Sequence, residues 1–263
     1  MTTASRTATR LMARCLLALC MPALIYAQTP AATQPPAPIV QTPPVHDAAP
    51  SPDNALCCGV ITPNGQRLIA VLDSMDVEHH WLPEESVHWQ NGDRGPKRRG
   101  EAVTSHCSAF AAAVSLRVHV YLLRPPRHET ALLASAQGRW LARDGQEEGW
   151  VNVDAVEAQR RANLGQFVVV DYINPIPHKP GHIAVIRPAE KTAAQLAQDG
   201  PEDTQAGKHN HADYLVAQSF NSHPGAWPNG VRFYAHPVDW SKVTGKIDPA
   251  DMRDDSVDGG AQP

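Results

Sequence analysis

Apolar residues along the chain fall into helical spacing first and strand-like runs later. Residues 64–77 place Leu68, Val71, Leu72 and Met75 on one helical face. Between 105 and 123, Cys107, Phe110, Ala111, Val114, Val118, Tyr121 and Leu122 form the longest such series. Thr104 or Ser105 can cap its start, and Pro125-Pro126 stop it. Further helices are expected near 129–142 and 153–163. Four β-type runs follow, at 166–173, 182–187, 214–220 and 230–235. Residues 79–100 read as a loop. Helices first and strands later predict an α+β domain, with N-terminal helices packed on a mostly antiparallel sheet of about four to six strands.

The flanks change the picture. Arg6, Arg10 and Arg14 precede an apolar run, Cys15 to Ile25, and small Ala27 offers a cleavage point. Residues 1–27 therefore read as an export signal, with an uncleaved amphipathic anchor as the alternative. Residues 28–53 hold eight prolines and read as an extended tether. Residues 54–245 have the length of one domain, and 246–263 read as a frayed acidic tail. The expected location is the periplasm or the exterior of a bacterial cell, with no transmembrane span once the signal is gone.

The whole chain has 263 residues, a formal charge of −4 and 42% apolar residues. That excludes a collagen, a coiled coil and a multi-span membrane protein. The mild acidity argues against a nucleic-acid partner. Signal removal leaves Cys57, Cys58 and Cys107, an odd number, so at least one thiol has no partner within the chain. Cys57 and Cys58 can pair as a vicinal disulfide or between chains. The sequence does not set the oligomeric state.

Cys107 opens the long predicted helix. Unpaired N–H groups and the helix dipole stabilise an anion there, so its thiol can lose a proton near neutral pH. The plainer reading is a small apolar core residue. His182 opens the strand after Pro180-Gly181 and can take the thiol proton. Gly181 leaves room for another backbone or for a substrate. The plainer reading of His182 is a hydrogen-bonded strand-edge histidine. Gln218 or Asn221, at the end of the 214–220 run, can orient the imidazole, Gln218 being preferred.

Helix-leading Cys-Ser-Ala-Phe, then Gly-His-Ile-Ala-Val, then Val-Ala-Gln-Ser resembles the NlpC-type and CHAP cysteine hydrolases across residues 100–235. Ala162-Asn163-Leu164-Gly165 resembles that family's entry into the sheet. The resemblance implies a papain-like fold with Cys107, His182 and Gln218 as nucleophile, base and orienter. It also implies an amide substrate in the bacterial wall, with peptidoglycan stem peptides first. His106 stands where the family often has Asp.

Other constellations compete. His209 and His211 form a close pair, but there is no His-Glu-x-x-His, and the single His-x6-Asp match, His46 with Asp53, lies in the tether. No metal or other cofactor is expected. Trp81 and Trp89 can line a sugar or peptide cleft, or plug the helices. Lys97-Arg98-Arg99 can meet an anionic wall polymer or form a solvated loop. The expected function is thus an exported cysteine amidohydrolase. Two alternatives are a non-catalytic envelope-binding module on the same scaffold and a toxin delivered into a competitor's envelope.

Overall fold

The computed structural model describes residues 55–96, 105–128, 133–176 and 179–245. The proposed signal, tether and tail, Thr104 and the Lys97–Arg99 cluster lie outside the described residues. All described residues belong to one compact unit, Ala48–Pro263. No described helix is long and apolar enough to cross a membrane.

The elements in chain order are α1 (Pro63–Ser74), α2 (Cys107–Arg117), α3 (Ala134–Arg143), β1 (Val151–Val153), α4 (Ala155–Asn163), β2 (Phe167–Tyr172), β3 (His182–Ile186), α5 (Ala193–Asp199), β4 (Glu202–Ala206), β5 (Asn210–Leu215), α6 (Val216–Ser219) and β6 (Arg232–His236). The fold is α+β. Six strands form one antiparallel sheet in the order β1-β6-β2-β3-β4-β5.

Local chemistry sets the helix limits. Thr62 caps α1 by accepting from the Gly65 amide at 3.2 Å, with Pro63 at the first helical position. Asp154 does the same for α4, and Thr192 with Gln195 forms a capping box on α5. The long helix departs from its prediction at both ends. Its N-cap is His106, with no side-chain cap bond. It stops at Arg117, well before the prolines, because His119 adopts φ 54°. The Val120 and His119 amides then bond back to Ser115 and Leu116 at 3.0 and 3.3 Å, a Schellman ending.

Both faces of the sheet are covered, which is why β2 and β3 are buried at every position. Phe167, Val169, Ile183 and Val185 join the core beneath α2 and α3. Val168, Val170, Ala184 and Ile186 join a second core with α4 and Val216 of α6. Every residue of α2 before Arg117 is buried, so it is a central helix and not the one-faced helix its apolar series suggests.

Trp81 and Trp89 belong to this first core. Trp81 is fully buried, packs edge-on against Phe110 at 5.3 Å and donates Nε1–H to the Trp89 carbonyl at 3.0 Å. The two tryptophans are therefore the plug over α2, not the walls of an open cleft.

Candidate catalytic site

The start of α2 sits over the start of β3. The Ile183 amide, the Ser105 hydroxyl and the amides of Ser108 and Cys107 itself favour the anion of Cys107. The Ile183 amide belongs to the peptide unit that joins it to His182, whose ring packs on Phe220 in the core on the other face of the sheet. Cys107 is a free thiol, whereas Cys57 and Cys58 are joined as a vicinal disulfide.

Burial opposes those four donors. Cys107 is 6% exposed, and desolvation pushes its thiol above the ordinary value, the donors pulling back only in part. The sequence expectation of a thiol ionised by the helix start near neutral pH is corrected here: burial favours the protonated thiol, and its ionisation would call for a base.

His182 has the form of such a base. Its Nε2 lies 2.7 Å from Gln205 Oε1. Gln205 Nε2 in turn donates to the His209 carbonyl at 3.3 Å, which leaves Oε1 facing the ring. A carbonyl oxygen only accepts, so Nε2 carries the hydrogen and Nδ1 keeps its lone pair. Burial, first among the causes, pushes the imidazole below its ordinary value, against the upward pull of the Gln205 bond and the Asp203 charge. The ring packs edge-on against Phe220 at 4.8 Å and lies nearly parallel to His223 at 5.9 Å.

The orienting amide is therefore Gln205 of β4. Gln218 and Asn221 are exposed. The 214–220 run breaks at Val216, whose amide bonds the Pro201 carbonyl at 3.0 Å, and the chain turns into α6. Gln218 rides on that turn, away from the strand that neighbours β3. Gly207 follows the bond: a Cβ there would lie 2.8 Å from Gln205 Oε1 and 3.4 Å from His182 Cε1.

Gly181 makes room for backbone. A Cβ on it would overlap the Tyr172 carbonyl and the Ser135 hydroxyl. Its space is thus filled by β2 and α3 and not left for a substrate. His209 is exposed, and His211 stacks on Tyr214 at 3.9 Å.

Two carboxyls that the sequence reading passed over flank the pair. Asp171 of β2 pairs in register with Ile183 and lies against α3, where a Cβ on Gly138 would overlap its carboxyl. Asp203 of β4 accepts from Ser219 Oγ at 2.8 Å. Two surface concavities, of about 710 and 380 Å³, are lined by neither Cys107 nor His182.

No family model matches the sequence. No curated protein matches it either. The functional reading rests on the residues themselves.

Proposed function

We propose that the chain is an exported cysteine amidohydrolase of the NlpC/CHAP type, with Cys107 as nucleophile, His182 as base and Gln205 as orienter. One observation carries this: a free thiol opens α2 near the first peptide of β3, and Gln205 holds His182, which opens β3, in the tautomer that leaves Nδ1 basic.

The chemistry follows. Nδ1 takes the thiol proton as sulfur adds to the amide carbon, and the carbonyl pair moves to oxygen. The N–H groups around Sγ are available to that oxyanion. Collapse breaks the C–N bond, the imidazolium returns its proton to the leaving amine, and a thioester remains. Water, deprotonated by His182, releases the acid and restores the thiol. The proposed substrate is the stem peptide of peptidoglycan, and the proposed setting is the bacterial envelope.

The burial of Cys107 and His182, at 6% and 5% exposure, favours a second reading, a non-catalytic envelope-binding module. Digestion of purified peptidoglycan separates the two. The full chain should release cleaved stem peptides detectable by mass spectrometry, and Cys107→Ala should release none. Equal release by both proteins, or by neither with the thiol reduced and the protein folded, removes the hydrolase reading for this substrate. Wall pull-down by both proteins would then support the binding module.

A further inference from the structure

Gln205 orients His182 but carries no charge, so it does little for the imidazolium that forms when Cys107 gives up its proton. A charge lies close by. Asp203 stands two residues before Gln205 on β4, is fully buried, and has Oδ1 bonded to Ser219 Oγ while Oδ2 has no partner. Ser219 and Phe220 are consecutive: the first holds Asp203 and the second packs on the His182 ring. Carboxyl, amide and imidazole are thus tied together from β4 and the end of α6, on the sheet face opposite α2.

We propose that Asp203 is a positioning residue for His182, a buried carboxylate held by Ser219 that stabilises the imidazolium formed during thiol deprotonation. The assignment rests on the Cys107–His182 reading for its role in catalysis, but the charge coupling is measurable without it. Gln205 sets the direction of the ring and Asp203 supplies the field, two tasks that one carboxylate performs in a charged triad.

The surrounding charges fit. Burial raises the Asp203 carboxyl to about 7, with Ser219, His182 and Lys191 pulling it down and Glu202 pushing it up. His182 is faced by Asp203 and Gln205 from β4, by Phe220 and His223 beyond α6, and by Tyr172 paired with it on β2. His223 is itself held below its ordinary value, by burial and then by His182. Asp203 is thus the carboxyl that raises His182 against the effect of burial.

The test is a proton NMR titration of the His182 Cε1–H in the full chain between pH 5 and 9. Two coupled groups share their protons, so the native ring should follow a two-step curve. Asp203→Asn should reduce it to one step with a midpoint lower by about one unit, tenfold in proton affinity. Ser219→Ala, which removes the donor but keeps the carboxyl, should move the curve less and in the same direction. Superimposable curves for native and Asp203→Asn proteins overturn the proposal. If the native chain cleaves peptidoglycan, Asp203→Asn should also slow it about 10- to 100-fold, most at the alkaline end of the profile, where the native carboxyl is ionised. A moved His182 curve in a chain inert toward peptidoglycan keeps the coupling and removes the hydrolase reading alone.

Discussion

On the α2–α3 face of the sheet, Asp171 is 1% exposed, its Oδ1 has no partner, and the Cys107 thiol lies near it. On the opposite face, Asp203 is fully buried, accepts from Ser219, and has an imidazole beside it. Burial raises both carboxyls. The neighbours then divide them. A thiolate near Asp171 pushes it further up, whereas an imidazolium near Asp203 draws it down. One face holds a carboxyl that burial and the Cys107 thiol both raise, and the other holds one that burial raises and His182 draws down. The same residue type under the same burial does opposite things because of what its neighbour becomes on giving or taking a proton.

The sharpest way to break this comparison is to remove the amide on the imidazole face. Gln205→Ala frees the ring to adopt the wrong tautomer and should lower kcat/KM on peptidoglycan by roughly 10²- to 10⁴-fold. Gln218→Ala, two residues past the break into α6, should leave it unchanged. Equal losses in both would return the orienting role to the exposed turn. The pH profile adds a second reading, because a lost tautomer lowers the plateau whereas a lost charge moves the limb.

The next effect is on stability, and its sign follows from the shift. Asp203 has a folded value of about 7 against an ordinary 3.8. The native state therefore holds a proton that the unfolded chain has released between those values, and stability falls as pH rises through that window. Asp203→Asn has no such proton. Denaturant unfolding should show it gaining on the native chain from pH 4 to 7, levelling above, by about 2–4 kcal/mol. Asp171→Asn should gain too, because its carboxyl is raised as well, but its window should extend to higher pH. Identical pH dependence in the two variants would erase the distinction between the faces.

Much of the fold was legible because it rests on apolar periodicity and capping. The four predicted helices near 64–77, 105–123, 129–142 and 153–163 are α1 to α4 with shifted ends, and three of the four β-type runs are β2, β3 and β6. Strand β4 was not, for a physical reason. Glu202-Asp203-Thr204-Gln205-Ala206 lacks the apolar alternation of a strand, yet its polar residues are buried because His182, Ser219 and the Ala212 carbonyl bond them. Gly200-Pro201 before it and Gly207 after it were the available signals, bracketing a strand-length segment. The site was legible to the same extent. Cys107 and His182 announce themselves by their places at element starts, but Gln205 and Asp203 matter only through partners that the fold brings from 16 to 23 residues away. The strand run at 214–220 misled because Val-Ala-Gln-Ser is as acceptable in a helical turn as in a strand.

The smallest predicted effect probes why Asp171 is tolerated. Gly138 is buried in α3, and a Cβ there would overlap the Asp171 carboxyl. Gly138→Ala ordinarily favours a helix by about 1 kcal/mol, since alanine is the better helix former. Here the overlap should outweigh that gain and destabilise the chain by about 1–3 kcal/mol, the usual range for an added methyl in a filled core. Removing the carboxyl should reverse the sign. In the double variant Gly138→Ala with Asp171→Ala, the new Cβ enters the space the carboxyl leaves. A double-mutant cycle should therefore show a favourable coupling of about 1–3 kcal/mol. Additive effects would mean that α3 shifts to accept the methyl group without help from Asp171. The close approach of α3 to β2 would then be set by some other part of the core, and the buried Asp171 carboxyl would not depend on a glycine to hold its place.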